Sequence, residues 1–186
     1  GNPHLALEEL HPGEGGIVYA QTRKDVERLA KGLTEEGVSC RPYHAGLKPD
    51  ERSQAQEGFV GERLDVIVAT IAFGMGIDKP DVRLVVHMDM PKTLEAYYQE
   101  TGRAGRDGQP SDCVLFFSLA DRRKHQYFIN QIEDSREQER CVQQLKHVIE
   151  YGQTTTCRRR FVLDYFGEGY PASCQACDNC VPEASP

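Results

Sequence analysis

Four cysteines near the end of the chain are the densest concentration of reactive side chains in the sequence. Sixteen residues separate Cys157 from Cys174, and Cys177 and Cys180 each follow after two more. Four soft thiolates match a closed, tetrahedral structural zinc site. One Cys on a helix start and three on a tight loop would pin that loop to the helix, a staple that a small appendage needs. A redox Cys-x-x-Cys is the rival, but it uses two thiols on a thioredoxin-like turn and leaves the others unexplained. An iron–sulfur cluster also takes four cysteines. Cys40, Cys113 and Cys141 are scattered and read as small buried hydrophobes, and an odd total of seven argues against a disulfide scaffold.

A second group is rich in glycine and arginine. In Tyr98-Gln99-Glu100-Thr101-Gly102-Arg103-Ala104-Gly105-Arg106-Asp107-Gly108, two guanidiniums stand three residues apart, each beside a glycine. That pattern suits a clamp on phosphate oxygens. Arginines complementing the dipole of a solvated helix end are the alternative, but glycine this dense destabilises a helix end. A third group runs from Thr70 to Phe73-Gly74-Met75-Gly76-Ile77-Asp78: a hydroxyl, two glycines that let backbone approach a ligand, and a carboxylate. Taken alone it reads first as a loop with two turn glycines.

These residues need a frame, and the first two-thirds of the chain supplies one. Short β-branched runs alternate with amphipathic stretches. Strands are expected at 16–20, 38–43, 65–69, 84–87 and 113–117. Helices are expected after Thr22 to about Gly37, from Pro49 to about Val60, and over 93–101. The alternation predicts a parallel sheet flanked by helices, with ligands outside the carboxyl ends of the strands. Gln21, Thr22, Arg23, Tyr43, His44, Gly46 and Thr70 fall on those ends. After Ala120 the strands stop. Helices are expected over 121–132, over 135–151 with a Ser135-x-x-Gln138 capping box and Gly152 as terminator, and over 157–166. The expected division is therefore an α/β lobe over 1–120 and a small helical, Cys-rich region over 121–186.

Of the 186 residues, 39% are hydrophobic and 27% charged, which excludes disorder throughout and collagen-like repeats. No run approaches the ~20 apolar residues of a membrane span. Gly1-Asn2-Pro3-His4 has neither an initiator Met nor the look of a signal peptide. The expectation is a soluble, cytoplasmic piece of a longer protein. A net charge of −7 argues against a free nucleic-acid binder, although a local basic face can coexist with an acidic total.

Together these segments resemble the RecQ family of DNA helicases, in its bacterial form. Val68 to Pro80 and Tyr97 to Gly108 are similar to that family's motifs five and six. Gly16-Ile17-Val18-Tyr19 with Thr22-Arg23 is similar to motif four, and Tyr43-His44-Ala45-Gly46-Leu47 to the segment after it. The Cys cluster with Cys157-Arg158-Arg159 and Tyr165-Phe166-Gly167-Glu168 is similar to the RecQ zinc subdomain. The resemblance covers about residues 13 to 181 and implies a second RecA-like lobe that closes over ATP and Mg²⁺ held mainly by a first lobe. It implies Arg106 as the arginine finger with Arg103 beside it, Gln99 near the γ-phosphate, and Gly76 and Asp78 at the nucleotide. Thr70, Thr22 and Arg23 would hold phosphates of the tracked DNA strand, Thr22 being equally a helix cap. His44 would position backbone or face DNA. Arg158, Arg159 and Arg160 either face DNA or solvate a helix.

The resemblance further implies a 3′-to-5′ helicase acting on single strands and duplex junctions in repair and recombination. It would work in the bacterial nucleoid or, in a eukaryote, the nucleus. The sequence contains no Gly-x-x-x-x-Gly-Lys-Ser/Thr loop and no Asp-Glu-x-His motif, so the chain alone is expected to lack ATPase activity. A non-enzymatic, zinc-stapled DNA-binding or interaction module is the competing reading.

Overall fold

The computed structural model describes Leu7, residues 14–70 and residues 79–181. Five strands form one sheet: β1 (Gly15–Tyr19), β2 (Cys40–Tyr43), β3 (Val66–Ala69), β4 (Val82–His87) and β5 (Asp112–Leu115). Their order is β2-β3-β1-β4-β5 and every pairing is parallel. Parallel strands covered on both faces read as continuous apolar runs, and β1 and β3 are buried at every position.

Side chains of period two divide the core between the two faces. Val18, Val66, Val68 and Val86 pack with Val26, Ala30 and Leu33 of α1 (Arg23–Glu35). Ile17, Tyr19, Ile67 and Val85 pack with Ala55 and Phe59 of α2 (Pro49–Val60). Right-handed crossovers require this arrangement. The chain leaves β1 for β2 in one direction and returns from β2 to β3 in the other, so α1 and α2 must cover opposite faces. Local signals fix the helix starts. The Thr22 hydroxyl accepts the Asp25 N–H at 3.1 Å, and Pro49 occupies the first turn of α2 while Glu51 accepts the Lys48 N–H at 2.8 Å.

The chain divides into two compact units: Gly1–Met90 with Gln99–Phe117, and Pro91–Tyr98 with Ser118–Pro186. The second unit therefore takes residues 91–98 from the stretch assigned by sequence to the first, and side-chain contacts explain why. The Tyr151 hydroxyl donates to Tyr97 Oη at 3.2 Å, the Tyr165 hydroxyl donates to Glu95 Oε1 at 2.7 Å, and the Tyr98 and Phe166 rings lie 4.9 Å apart. These residues of α3 (Leu94–Thr101) pack with α5 (Ser135–Gln153) and α6 (Arg158–Tyr165). The remaining helix, α4 (Asp121–Ile129), buries Asp121, His125 and Ile129, one residue per turn. No helix among the described residues is long and apolar enough to cross a membrane.

Several local expectations are corrected. Helix α5 is capped by Asp134, whose carboxylate accepts the Arg136 and Glu137 N–H groups at 2.9 and 3.3 Å. Aspartate caps as well as serine and stands one residue earlier; the Gln138 amide donates instead to Ile129 O. Gly152 does not end α5, which continues to Gln153 and stops where Thr154 turns extended. An interior glycine costs only ~1 kcal/mol, less than packing Tyr151 returns. Helix α4 ends at Ile129, three residues early, and β2 starts at Cys40 rather than Val38. Cys40 is buried as expected, but Cys113 is exposed on the edge strand β5 and Cys141 is half-buried.

Candidate functional site

Strands β1 and β4 are neighbours, yet the chain leaves β1 toward one edge of the sheet and β4 toward the other. Such a switch point opens a crevice at the carboxyl ends. The last residues of these strands, Tyr19 and His87, are partners in register. Their rings stack at 5.1 Å with an interplanar angle of 25°, and each is 3% exposed. His87 Nε2 lies 2.6 Å from Glu100 Oε2, and Glu100 is 5% exposed. The carboxyl-terminal end of α3 is thereby tied to the last residue of β4. Glu100 Oε1 is buried without a hydrogen-bond partner among the described residues. A desolvated acceptor of this kind costs about 1–3 kcal/mol, a strain typical of functional sites.

The arginine-bearing loop follows directly. Gly105 has φ +60°, and a Cβ there would stand 2.6 Å from Ser111 Oγ and 2.8 Å from Gln109 O, so only glycine fits. Its N–H donates to Val82 O at 2.9 Å, and the Asp107 N–H donates to Pro80 O at 3.2 Å. Asp107 also pairs with Arg83 of β4. The Arg83 guanidinium holds the Asp107 carboxyl below the usual carboxylate range. From inside the loop, Arg103 hydrogen-bonds the Tyr19 hydroxyl. Burial pushes the Tyr19 phenol well up despite the nearby charges of Arg103 and Arg106, so it stays neutral. Arg106 is exposed, and its Nε donates to Gly102 O at 3.1 Å. Gln99 is exposed on α3 just before Glu100.

The strand-end residues expected to hold phosphates fall into different states. Thr70 is half-buried, its N–H donating to Tyr43 O across the ends of β2 and β3. Thr22 is a helix cap, its hydroxyl donating to Asp25 Oδ2 at 2.6 Å while accepting the Asp25 N–H. Arg23 is exposed and lies over the turn after β2. A Cβ at Gly46 would come within 3.0 Å of Arg23 Nη1 and 3.1 Å of His44 Nδ1. His44 is 3% exposed, with Nδ1 accepting the Gly46 N–H at 3.2 Å. That bond makes Nε2 the protonated nitrogen of the neutral ring, donating to Glu27 Oε1 at 3.1 Å. His44 thus holds the turn backbone through Nδ1 and meets Glu27 through Nε2.

In the second unit the arginines part ways. Arg158 grips Asp178 through two bonds, Nε to Oδ1 at 2.5 Å and Nη2 to Oδ2 at 2.7 Å, and donates from Nη1 to Tyr151 O. It braces the Cys-rich loop. Arg159 is exposed, with one bond to the Tyr170 hydroxyl at 3.5 Å. Gly76 and Asp78, with the rest of 71–78, lie outside the described residues. Sequence reasoning missed the pairs Tyr19–His87, His87–Glu100, Arg83–Asp107 and Arg158–Asp178. A polar aromatic closing each of two buried strands was the readable signal for the first.

The sulfur atoms of Cys157, Cys174, Cys177 and Cys180 all lie within 4.8 Å of one another, and no two are bonded. Cys174 and Cys180 are 4.0 Å apart, close to the ~3.8 Å edge of a tetrahedron with 2.3 Å zinc–sulfur bonds. Backbone N–H groups already point at three of the sulfurs: Arg160 N at Cys157, Arg158 N at Cys177, and Cys177 N at Cys174. Asn179 closes the loop with bonds to Thr154 O and Thr156 O at 2.8 and 2.7 Å. Ser173 and other donors pull the Cys180 thiol down to about 6, whereas burial pushes Cys174 up to about 11. Four thiolates this close need a cation among them, and a closed, all-sulfur set fits structural zinc.

Comparison with known proteins matches two families along the chain. Residues 3–108 match the family described as helicase conserved C-terminal domain, and residues 119–181 match the family described as RecQ zinc-binding. The chain is 46% identical over 168 residues to the ATP-dependent DNA helicase RecQ of Bacillus subtilis, covering 90% of this chain and 28% of that protein. It is 43% identical over 185 residues to the ATP-dependent helicase SGS1 of Saccharomyces cerevisiae, covering 97% and 13% respectively. The chain thus spans less than a third of these relatives. Among solved structures, the DEAD-box protein SrmB of E. coli, bound to the regulator of ribonuclease activity A, shares a TM-score of 0.56 and 27% identity. That match covers 71% of this chain and 78% of the matched chain in that structure.

Two outcomes are expected from this geometry. Elemental analysis of the purified chain finds one zinc per molecule, and chelation or Cys177→Ser removes it and melts α6 and its loop, read as lost helical circular dichroism. An iron signal or an unchanged spectrum contradicts the zinc staple. The Asp107 carboxyl titrates below the unfolded value of about 3.9. Its pairing with Arg83 therefore stabilises the loop fully above that pH and is lost as pH falls through the depressed folded value. Carbon-13 NMR of the carboxyl measures this midpoint, and Arg83→Gln raises it; a midpoint unmoved by that change contradicts the clamp.

Proposed function

Since the chain belongs to the family of helicase conserved C-terminal domains, we propose that it is the C-terminal half of the motor of an ATP-dependent 3′-to-5′ DNA helicase of the RecQ type. The observation that carries this reading is the arginine loop at the switch point of the sheet. It is rigidly held by Glu100, Gly105 and Asp107, and Arg106 is exposed on it.

Phosphoryl transfer asks a protein for positioning and charge. A first lobe would hold ATP and Mg²⁺, for which this sequence carries no phosphate loop. Arg106 would meet the charge that develops on the γ-phosphoryl group, an interaction realised only in the transition state. Arg103, hydrogen-bonded to Tyr19, acts as the brace that fixes the loop's path rather than as a second finger. Gln99, exposed on α3 beside the anchored Glu100, contributes to the γ-phosphate end. Thr70 and Arg23, at the carboxyl ends of β3 and β1, hold phosphates of the tracked strand, and Arg159 adds an exposed cation from α6. Gly76 and Asp78 keep their proposed places at the nucleotide. Zinc, when bound, supplies folding energy to the second unit. Single strands and duplex junctions are the proposed substrates, and repair and recombination the proposed setting, in the bacterial nucleoid or a nucleus.

The chain alone is expected to show negligible ATP turnover with single-stranded DNA. Joining or adding the missing first lobe restores DNA-stimulated turnover, and Arg106→Ala then lowers it by about 10³–10⁵-fold. Turnover by the chain alone, or restored turnover indifferent to Arg106→Ala, contradicts the motor reading and leaves a non-enzymatic, zinc-stapled module.

A further inference from the structure

Helix α4 has one inward stripe, formed by Asp121, His125 and Ile129. Off that stripe stand two aromatic rings in water. Tyr127 and Phe128 are each 66% exposed, their centroids 5.6 Å apart and edge-on to one another. Aromatic side chains bury 150–250 Å² when they find a partner, so two adjacent rings left in solvent forgo much of that burial.

The surrounding charge identifies the partner. Arg122 and Arg123 are exposed, and their side chains make no hydrogen bond or ion pair among the described residues. Arg123 lies one turn before Tyr127, and Lys124 one turn before Phe128, the spacing that makes helical side chains neighbours. The lone carboxylate of the helix, Asp121, faces inward and pairs with Lys124 at 3.5 Å. In a chain of net charge −7, this face is locally basic. Exposed amides of Asn130 and Gln131 border the rings. Exposed rings with cations on the same helix are the recurring means of holding single-stranded nucleic acid without regard to sequence: the bases stack while the phosphates meet the guanidiniums.

We propose that the outer face of α4 is a stacking platform for single-stranded nucleic acid, with Tyr127 and Phe128 taking bases and Arg122 and Arg123 taking phosphates. The choice of partner rests on the DNA reading above, but the platform is separate from the arginine loop and is tested without ATP.

The sequence contains no tryptophan, so Tyr127→Trp introduces a single reporter into the 186-residue chain. Titration with an oligothymidylate should quench its fluorescence, as stacking on a base does. Anisotropy of a labelled oligonucleotide should show Tyr127→Ala or Phe128→Leu weakening binding roughly 5- to 150-fold per lost ring. The leucine variant keeps exposed apolar bulk and lacks only the π face. Arg122→Gln with Arg123→Gln should lower the slope of log affinity against log salt by about 1.4, or ~0.7 per phosphate contact. Unquenched tryptophan together with unchanged affinity in the ring variants overturns the platform. So does quenching or a blue shift that grows with protein concentration in the absence of oligonucleotide, which marks a face between copies of the chain. Either failure leaves the restored ATP turnover of the two-lobed protein intact, so the platform and the motor are judged separately.

Discussion

The hydrogen bond between His87 and Glu100 is the constraint on which the arginine loop depends. It joins two nearly inaccessible residues at 2.6 Å, one closing β4 and the other near the end of α3. In a poorly polarisable interior such a bond is strong and its loss leaves a buried carboxylate unpaired. Everything from Gly102 to Gly108 starts from that fixed point. Stacked on His87, Tyr19 receives Arg103, while Arg83 holds Asp107 from below and Val82 O holds the Gly105 N–H. A loop tied at three places presents a guanidinium with little conformational freedom left to lose, which is the physical content of preorganisation in electrostatic catalysis.

The second unit solves a different problem. Its helices carry few buried apolar residues, and the loop over 171–181 has almost none. Four sulfurs, the Arg158–Asp178 fork and the two Asn179 bonds take the place of a core there. The helix start that presents Cys157 also aims backbone N–H groups at the cluster. The same device that begins α6 therefore helps stabilise thiolates, as helix N-termini do for other anions.

Much of this was legible in the residues, and the limits have physical causes. The strands β1, β3 and β4 are apolar on both faces, so their position and parallel pairing follow from periodicity and crossover handedness. Thr22 and Pro49 announce their helices through side-chain chemistry that acts within one turn. Gly152 misled because packing of α5 outweighs the modest cost of one interior glycine, and Asp134 outcompeted Ser135 because both can cap and only one helix start was available. The four cysteines were recognisable by spacing alone. Arg158 could not be told from Arg159 in sequence, since the difference is Asp178, twenty residues away and brought near only by the folded loop. The coupling of Tyr19, His87, Glu100 and Arg103 was invisible for the same reason: four residues spread over eighty-five positions meet only when β1 and β4 pair.

If the chain is the motor half proposed above, the buried pair of His87 and Glu100 acts on catalysis through the loop and not through nucleotide affinity. Steady-state kinetics of the two-lobed protein carrying Glu100→Ala measure this directly. In that variant kcat for DNA-stimulated ATP hydrolysis should fall by about tenfold or more while KM for ATP and bound zinc stay near their original values. An unchanged kcat in a folded, zinc-loaded variant would contradict it.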